Sequence, residues 1–244
     1  MKLSILLVLL LSGFVSAAEP LIYGDDSYFP VMYKDKNGQS AGVLYKLLQH
    51  HSKLTGSKLA LEHTSWRRAY EFALQGHGGV IGLSKTSARL SQFDYSDAIF
   101  DDNINIVVKK GKEFPYARIE DLKGKSVGVH LGASYGEVFD KAVAAKLFSI
   151  DTSSIPAVRF KKLLYGRVDC VLVGSGKIGF DSIVDADPGL KSNKAQFVIL
   201  KQPVVRDTMY LGFAKSMSMG KYLQSFNQSI ADAKLKKVIP ETNN

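Results

Sequence analysis

Several features that mark particular classes of protein are scarce in this sequence. It contains one cysteine, Cys170, so no internal disulfide can form and the folded chain must rely on its hydrophobic core. Cys170 stands in the apolar run 170–173, which predicts a buried, unreactive side chain. Beyond the amino terminus, no apolar run approaches the roughly 20 residues that a membrane-spanning helix needs. The pattern therefore predicts a chain that is held by its core and does not cross a bilayer.

The amino terminus has the pattern of a secretory signal. Lys2 precedes an apolar run over residues 3–11, and small residues follow at 16–18. This order is typical of a signal peptide that is removed after export. The apolar run is too short for a membrane anchor. We therefore predict a signal peptide over residues 1–18 and an exported, unanchored mature chain.

The chain carries a formal net charge of +9, which raises the question of a nucleic-acid or anionic-membrane partner. The basic residues are scattered, and they cluster only in short pairs such as Lys109-Lys110 and Lys161-Lys162. Proteins that bind single strands combine basic grooves with aromatic stacking residues, and no such interleaving occurs here. The charge therefore favours a solvated surface that attracts small anionic ligands, and we predict no nucleic-acid partner.

Neither a metal motif nor a cofactor motif is present. The five histidines lack metal-ligand spacing, since His50 and His51 are adjacent and point to different faces of a predicted helix. A glycine-rich stretch over residues 76–82 contains neither a phosphate loop nor the dinucleotide fingerprint, and turns explain its glycines better. We therefore predict no metal site and no cofactor.

Short apolar runs alternate with helical patterns along the chain, as in α/β proteins with largely parallel sheets. A first unit includes a predicted strand over residues 80–83, and the pattern starts afresh after Gly111 with a predicted strand over 126–130. No internal repeat is present. Two similar α/β units predict two lobes, with a ligand site in the cleft between them.

A G-x-S-x-G motif spans residues 132–136, between a predicted strand and a predicted helix. A hydrolase nucleophile elbow has this form, but its catalytic histidine follows the serine in the chain. All five histidines here precede Ser134, so a hydrolase is disfavoured. The alternative is a capping box in which Ser134 and Glu137 begin a helix. The free N–H groups of that helix start would face the cleft and suit a carboxylate.

Arg89 follows the predicted strand over residues 80–83 and has two interpretations. A surface salt bridge is the more common role for a lone arginine. A planar guanidinium beyond a strand end can instead hold a carboxylate through two parallel charge-assisted hydrogen bonds. The arginine by itself leaves both roles open.

Several short motifs follow one another along the chain, at 24–30, Thr64-Ser65-Trp66, Ser84-Lys85-Thr86 with Arg89, 93–97, 119–129 and Gly166-Arg167-Val168-Asp169. In this order they resemble the polar-amino-acid family of extracellular solute-binding proteins. No single motif is specific, but together they cover nearly all of residues 19–235. The resemblance implies an α/β, two-lobed periplasmic-binding-protein-like fold of class II, in which two hinge-crossing strands join the lobes.

The resemblance also implies where the chain divides. Lobe 1 would comprise residues 19–107 together with 208–244, and lobe 2 residues 108–207. The hinges would lie near residues 106–109 and 204–209. The protein would be a periplasmic monomer, not an enzyme, that captures a small ligand with a carboxylate, amino-acid-like in character, for an inner-membrane ABC permease.

By the same resemblance, Arg89 holds the α-carboxylate of the ligand. Three first-lobe residues keep an alternative interpretation, since Trp66 and Tyr28 also suit the core and Asp26 also suits a turn. The implied ligand-binding residues are Arg89, Ser84, Thr86, Asp26, Tyr28, Trp66, Gly132, Ala133, Ser134, Gly174 and Ser175.

One position departs from the family pattern. Five residues beyond Asp169 the family usually has an acid that pairs with the ligand ammonium, whereas this chain has Gly174 followed by Ser175. A buried ammonium without a partner charge is strongly disfavoured. Either another acid, such as Asp26 or Asp207, meets the amine, or the ligand has no α-amine. The excess positive charge favours the second possibility.

Two other functions stay open on the same scaffold. A binding protein of this kind can act as a ligand sensor that docks on a membrane receptor instead of a permease. Cyclohexadienyl dehydratases also resemble the family, and such a periplasmic enzyme would use an acid in the cleft to expel water and carbon dioxide. The sequence shows no obvious second catalytic group beside Arg89, which disfavours the enzyme.

Overall fold

The computed structural model describes residues 19–240, and the predicted signal peptide over 1–18 lies outside them. The first half of the chain forms one α/β unit and a small separate sheet. Its elements are β1 (Ile22–Gly24), β2 (Ser27–Tyr28), β3 (Met32–Lys34), β4 (Ser40–Ala41), α1 (Val43–Thr55), β5 (Leu61–His63), α2 (Trp66–Leu74), β6 (Gly79–Ser84), α3 (Ser87–Leu90) and β7 (Phe93–Tyr95).

The second half begins with a long strand, and a second long strand precedes its last helix. Short 3₁₀ helices occupy Ile119–Leu122, Lys194–Gln196 and Lys215–Met217. The other elements are β8 (Phe100–Lys109), β9 (Ser126–His130), α4 (Glu137–Ala144), β10 (Ser149–Ser153), α5 (Pro156–Leu164), β11 (Cys170–Val173), α6 (Gly176–Ala186), α7 (Pro188–Lys191), β12 (Phe197–Ala214) and α8 (Gly220–Leu235).

Within residues 19–240, nine strands form one sheet in the order β10-β9-β11-β8-β12-β6-β1-β5, with β7 also paired to β12. The antiparallel pair of β8 and β12 lies at the centre. Parallel pairs flank it on both sides, β9 with β10 and β11 on one side and β1 with β5 and β6 on the other. Strands β2, β3 and β4 form the separate antiparallel sheet. The central pair therefore connects two α/β lobes, which confirms the predicted fold class.

Each lobe has its own buried core. In the first lobe, Leu47 of α1 and Phe226 of α8 pack with Phe213 of β12. In the second, Val127 and Leu172 belong to a cluster on one face of the sheet, and Phe160 of α5 belongs to a cluster on the other. Full burial of one such side chain contributes about 1.5–3 kcal/mol. Two separate cores allow the lobes to keep their shape if they move relative to one another.

The cores also indicate where the chain crosses between lobes. Phe100 packs against the first core, whereas Ile104, Ile106 and Val108 lie in the second-lobe core. From this packing we propose a first crossing at residues 101–103, while the hinge at 106–109 and the boundary at 107 stay predictions. The β-branched run at the end of β8 resembles a connecting strand in sequence, but its side chains pack inside lobe 2.

The second crossing lies on β12. Val205 packs against the second-lobe core, and Met209 lies in the first-lobe core. From this packing we propose a second crossing at 206–208, and the hinge at 204–209 stays a prediction. Cys170 is fully buried, and burial raises the pKa of its thiol to about 12, as expected of an unreactive core residue. Among residues 19–240, no helix is long and apolar enough to cross a bilayer.

Candidate functional site

A cavity of about 160 Å³ lies between the lobes. Both lobes and both crossing strands line it, and many of the lining residues follow the carboxyl ends of the parallel strands β1, β6, β9 and β11. Ligand sites of α/β proteins form at this edge of a sheet. The polar lining residues are Asp25, Ser27, Tyr28, Trp66, Ser84, Arg89, His130, Ser134, Tyr135, Arg159, Ser182 and Asp207.

Arg89 extends from α3 into the cavity wall, where the side chain is 6% exposed. Its Nη1 donates to the Ser84 carbonyl oxygen at 3.3 Å. The guanidinium lies over the rings of Tyr70 and Trp66, 5.0 and 6.0 Å from their centroids. Among residues 19–240, no carboxylate oxygen comes within 4 Å of it. The arginine is thus buried, oriented by aromatic rings, and without a described carboxylate at ion-pair distance.

Thr86 and Ser84 have separate roles beside this arginine. The Thr86 hydroxyl caps α3 by accepting a hydrogen bond from the Arg89 N–H at 3.2 Å, and Thr86 does not line the cavity. Thr86 thus starts the short helix that carries Arg89, and its contact with a ligand stays a prediction. Ser84 does line the cavity, and its hydroxyl donates to Asp207 Oδ2 at 2.8 Å.

Asp25, not the predicted Asp26, lines the cavity. The Asp25 carboxylate accepts the N–H groups of Ser27 and Trp66, each at 2.8 Å. Burial would raise the Asp25 pKa, but hydrogen bonds from His130, Ser27 and Trp66 lower it to about 2. Asp26 instead points away, with Oδ2 3.9 Å from His63 Nδ1. The turn after β1 thus brings Asp25 to the cavity lining, and the contact of Asp26 with a ligand stays a prediction.

The turn after β9 lies across the cavity from Arg89. Ala133 and Ser134 line the cavity, whereas Gly132 does not and accepts the Trp66 indole N–H on its carbonyl oxygen at 3.2 Å. Helix α4 begins after Gly136, whose φ of 86° favours glycine. Ser134 accepts the Gly136 N–H at 3.3 Å and donates to the Asp140 carboxylate.

The predicted capping box of Ser134 and Glu137 is therefore absent. The Glu137 carboxylate turns across to the other lobe and accepts the Ser87 N–H at 3.0 Å. His130 Nε2 lies 3.6 Å from Asp25 Oδ2, again between the lobes. With the Trp66 bond to Gly132, these contacts hold the two lobes together around the cavity.

Gly174 lines the cavity at the position where the family usually has an acid. A Cβ there would overlap the Tyr28 hydroxyl and lie 2.5 Å from Asp102 Oδ2. Tyr28 donates its hydroxyl to the Asp102 carboxylate. Ser175 donates its N–H and its hydroxyl to Asp102 Oδ1, at 2.6 and 3.1 Å. The tyrosine and the aspartate thus fill the space that a side chain at 174 would need, and Ser175 supports Asp102 instead of lining the cavity.

Asp207 is the other acid in the cavity lining besides Asp25. Burial, together with the nearby charge of Asp102, raises its pKa to about 7, although the Ser84 hydrogen bond lowers it. Asp102 itself is 2% exposed, and burial raises its pKa against its hydrogen bonds to Tyr28 and Ser175. Asp207 can therefore be neutral or charged near pH 7, depending on what the cavity holds.

The sequence prediction missed four polar groups of the second lobe, His130, Tyr135, Arg159 and Ser182, all of which line the cavity. The Tyr135 hydroxyl accepts the His130 N–H at 2.9 Å. Arg159 was detectable in principle. It lies on the apolar stripe of α5 with Phe160, so it is a charged residue at a position that the helical pattern assigns to the interior.

No group of His, Cys, Asp and Glu side chains within residues 19–240 is arranged to hold a metal ion. The site instead offers two buried guanidinium groups, hydroxyls, an aromatic wall and two carboxylates. This set of groups suits a small polar organic molecule with an anionic group.

The fold and the cleft define a class of protein, the two-lobed solute-binding proteins of class II. Residues 21–241 match the bacterial extracellular solute-binding proteins, family 3, and the chain belongs to this family. The resemblance drawn from the sequence motifs is confirmed.

Individual relatives are more distant. The L-cystine-binding protein TcyJ of Escherichia coli K12 is 26% identical over 151 residues, which cover 61% of this chain and 56% of TcyJ. The chain thus matches little more than half the length of that relative. An ancestral arginine-binding protein solved with glutamine superposes with a TM-score of 0.71 at 26% identity, over 90% of this chain and 93% of the other. A histidine kinase sensor domain superposes with a TM-score of 0.74 at 17% identity, over 90% and 92% of the two chains, which shows a shared fold.

Proposed function

We propose that this protein is a periplasmic solute-binding protein that captures a small carboxylate-bearing ligand, amino-acid-like in size, between its lobes for an ABC transporter. The observation that carries the proposal is the environment of Arg89, which is 6% exposed, faces the cavity and has no carboxylate oxygen of residues 19–240 within 4 Å. Buried charges in proteins are normally paired. A ligand carboxylate would supply the missing charge through two parallel hydrogen bonds.

The size of the cavity supports a small ligand. An engineered protein cavity of about 150 Å³ accommodates benzene. The cavity here, at about 160 Å³, suits a molecule of similar or slightly larger size and leaves no room for a peptide. Trp66 and Phe29 give the lining apolar surface beside the polar groups. A short carbon skeleton with one or two polar ends fits this combination.

The relatives support a ligand of amino-acid type. TcyJ is a cystine-binding protein by name, and the ancestral protein was solved with glutamine bound. Family membership favours delivery to an inner-membrane permease and a periplasmic location, with the predicted signal peptide as the route of export. We propose a monomer that acts by binding and does not catalyse a reaction. A sensor that docks on a receptor is an alternative in which the ligand site would be the same.

One observation favours a second function, an enzyme of the dehydratase type. Asp207 has a pKa raised to about 7 by burial, so it can donate a proton inside the cavity at neutral pH. The discriminating experiment is incubation of the protein with prephenate or arogenate. Formation of an aromatic product that is lost in Asp207→Asn would favour the enzyme, and absence of turnover would favour the binding protein.

The proposed function is tested by a thermal-shift screen of amino acids and small carboxylates. A ligand at 100 times its Kd stabilises the folded protein by about 2.7 kcal/mol, which is a clear shift. We expect Arg89→Ala to abolish the shift and Arg89→Lys to restore part of it, because lysine keeps the charge but not the paired geometry. The matched control is Arg118→Ala, at an exposed arginine outside the cavity lining. Retention of affinity in folded Arg89→Ala would contradict the proposal.

A further inference from the structure

Arg159 is a second buried guanidinium in the cavity, and it comes from the opposite lobe to Arg89. Its side chain extends from α5 and is 6% exposed. Nη1 donates to the Ser153 carbonyl oxygen at 2.7 Å and lies 3.3 Å from His130 Nδ1. Nε is buried without a hydrogen-bond partner among the residues that the structure describes. No carboxylate oxygen of residues 19–240 lies within 4 Å of the group.

This arrangement is incomplete for an arginine that serves only the fold. A guanidinium has five N–H donors, and here one nitrogen has fixed partners while another has none. Burial lowers the pKa of Arg159, while Tyr135, Tyr28 and Asp25 oppose that effect. If the side chain at position 159 only filled the interior, leucine or methionine there would cost less free energy than arginine, since a buried charge without a partner is strongly disfavoured.

The acids of the cavity do not supply the partner. The charge of Asp25 raises the pKa of Arg159 against the effect of burial. The oxygens of Asp25, however, already accept the N–H groups of Ser27 and Trp66 and lie next to His130. Asp207 accepts a hydrogen bond from the Ser84 hydroxyl, and burial raises its pKa to about 7, which disfavours its ionised form. The cavity thus contains two buried positive side chains, one in each lobe, and neither has a carboxylate oxygen of residues 19–240 within 4 Å.

We propose that the ligand is a small dicarboxylate, with one carboxylate on Arg89 in the first lobe and the second on Arg159 in the second lobe. The inference rests on the proposed function and specifies its ligand. A dianion that spans the cavity neutralises both guanidinium groups, and it draws the lobes together because each end binds a different lobe. A ligand with a single carboxylate would leave Arg159 Nε unpaired.

The test compares dicarboxylates with their monoamides by titration calorimetry. The probes are aspartate with asparagine, glutamate with glutamine, and succinate with succinamate. Because each pair differs by one ionised carboxylate at nearly constant size, we expect the dicarboxylate that fits to bind at least tenfold tighter than its monoamide. In Arg159→Gln this preference should fall to less than threefold, while Arg89→Gln should weaken both members of the pair.

Two controls keep the result interpretable. Arg167→Gln removes an exposed arginine just after the same helix, and it should leave the preference unchanged. Arg159→Lys keeps the positive charge and should retain part of the preference even if Arg159→Gln folds poorly. Circular dichroism and the Tm of each variant establish that it is folded.

The outcomes separate this inference from the proposed function. Binding that needs Arg89 but shows no preference for a dicarboxylate, or keeps that preference in folded Arg159→Gln, would overturn the inference and leave the proposed function intact. Equal binding of monoamide and dicarboxylate with loss in both arginine variants would mean that one carboxylate bridges the two guanidinium groups, and the inference would also be wrong. Failure of every small carboxylate and amino acid to bind would overturn both.

Discussion

Asp207 offers a test of the electrostatics of the cavity. Its pKa rises from the usual 3.8 to about 7, chiefly because burial disfavours the ionised form. At about 1.4 kcal/mol per tenfold change in acidity, this corresponds to at most roughly 4 kcal/mol against the charged side chain. Below pH 3.8 the acid is protonated in both the folded and unfolded states. As the pH rises from 3.8 through 7, the unfolded chain ionises first, so this contribution to stability is progressively lost.

The perturbation is Asp207→Asn, which removes the titration and keeps an oxygen that can accept the Ser84 hydroxyl. We expect the variant to be more stable than the native protein by roughly 2–4 kcal/mol at pH 8 and equally stable near pH 4. The groups that set the pKa besides burial are Ser84, Asp102, Arg89 and Asp101, and all remain in the variant. The assay is urea unfolding of the ligand-free protein at both pH values.

The control is Asp97→Asn, at an exposed aspartate outside the cavity lining. It should not change the pH dependence of the free energy of unfolding. If Asp207→Asn were less stable than the native protein at pH 8, or if its effect were the same at both pH values, the carboxyl would be ionised and well stabilised in the folded protein. The reasoning from burial would then be refuted.

Two further predictions follow from the same region. Gly174→Ala should lower the free energy of unfolding by about 1.5–3 kcal/mol, because the new methyl group displaces Tyr28 from Asp102. Urea unfolding should show that Tyr28→Phe, made in the Gly174→Ala background, causes little further loss of stability. Full additivity of the two losses would contradict this explanation. A ligand without an α-amine should bind at least as tightly as its aminated analogue at pH 6. Calorimetry at pH 8 should show a shift of this preference toward the amine as Asp207 ionises, and Asp207→Asn should remove the shift. A uniform preference for the amine at both pH values would show that another acid meets it.

Much of the fold was predictable from the sequence because its strands are short apolar runs with clear ends. The predicted strand over residues 126–130 coincides with β9, and that over 80–83 lies within β6. The long central strands were harder. Residues 201–208 of β12 are largely polar and include Pro203, so the apolar pattern breaks there. Pairing with β8 keeps the chain extended through this segment, with register shifts around Pro203.

The site was predictable where a motif fixes the residue and not where the tertiary fold brings residues together. The position of Arg89 followed from its motif and its place after β6. The place of Asp25 in the cavity lining was not predictable, because the direction of a side chain in a turn depends on backbone geometry that a motif does not report. His130 and Arg159 are 29 residues apart and meet only because β9 and α5 pack at the cleft. No local pattern reveals such a contact, although the charged residue within the apolar stripe of α5 gave a hint.

The same contacts bear on whether the ligand carries an amine. In the family pattern an acid at the position of Gly174 would face the ligand ammonium, but here Asp102 occupies the neighbouring space with both oxygens already engaged by Tyr28 and Ser175. A carboxylate that is fully hydrogen-bonded to the protein has little capacity left for a ligand. Asp207 remains, and burial favours its protonated form below pH 7. The unpaired charge in the cavity is therefore positive, on Arg89 and Arg159, and the ligand that balances it best has more anionic groups than cationic ones.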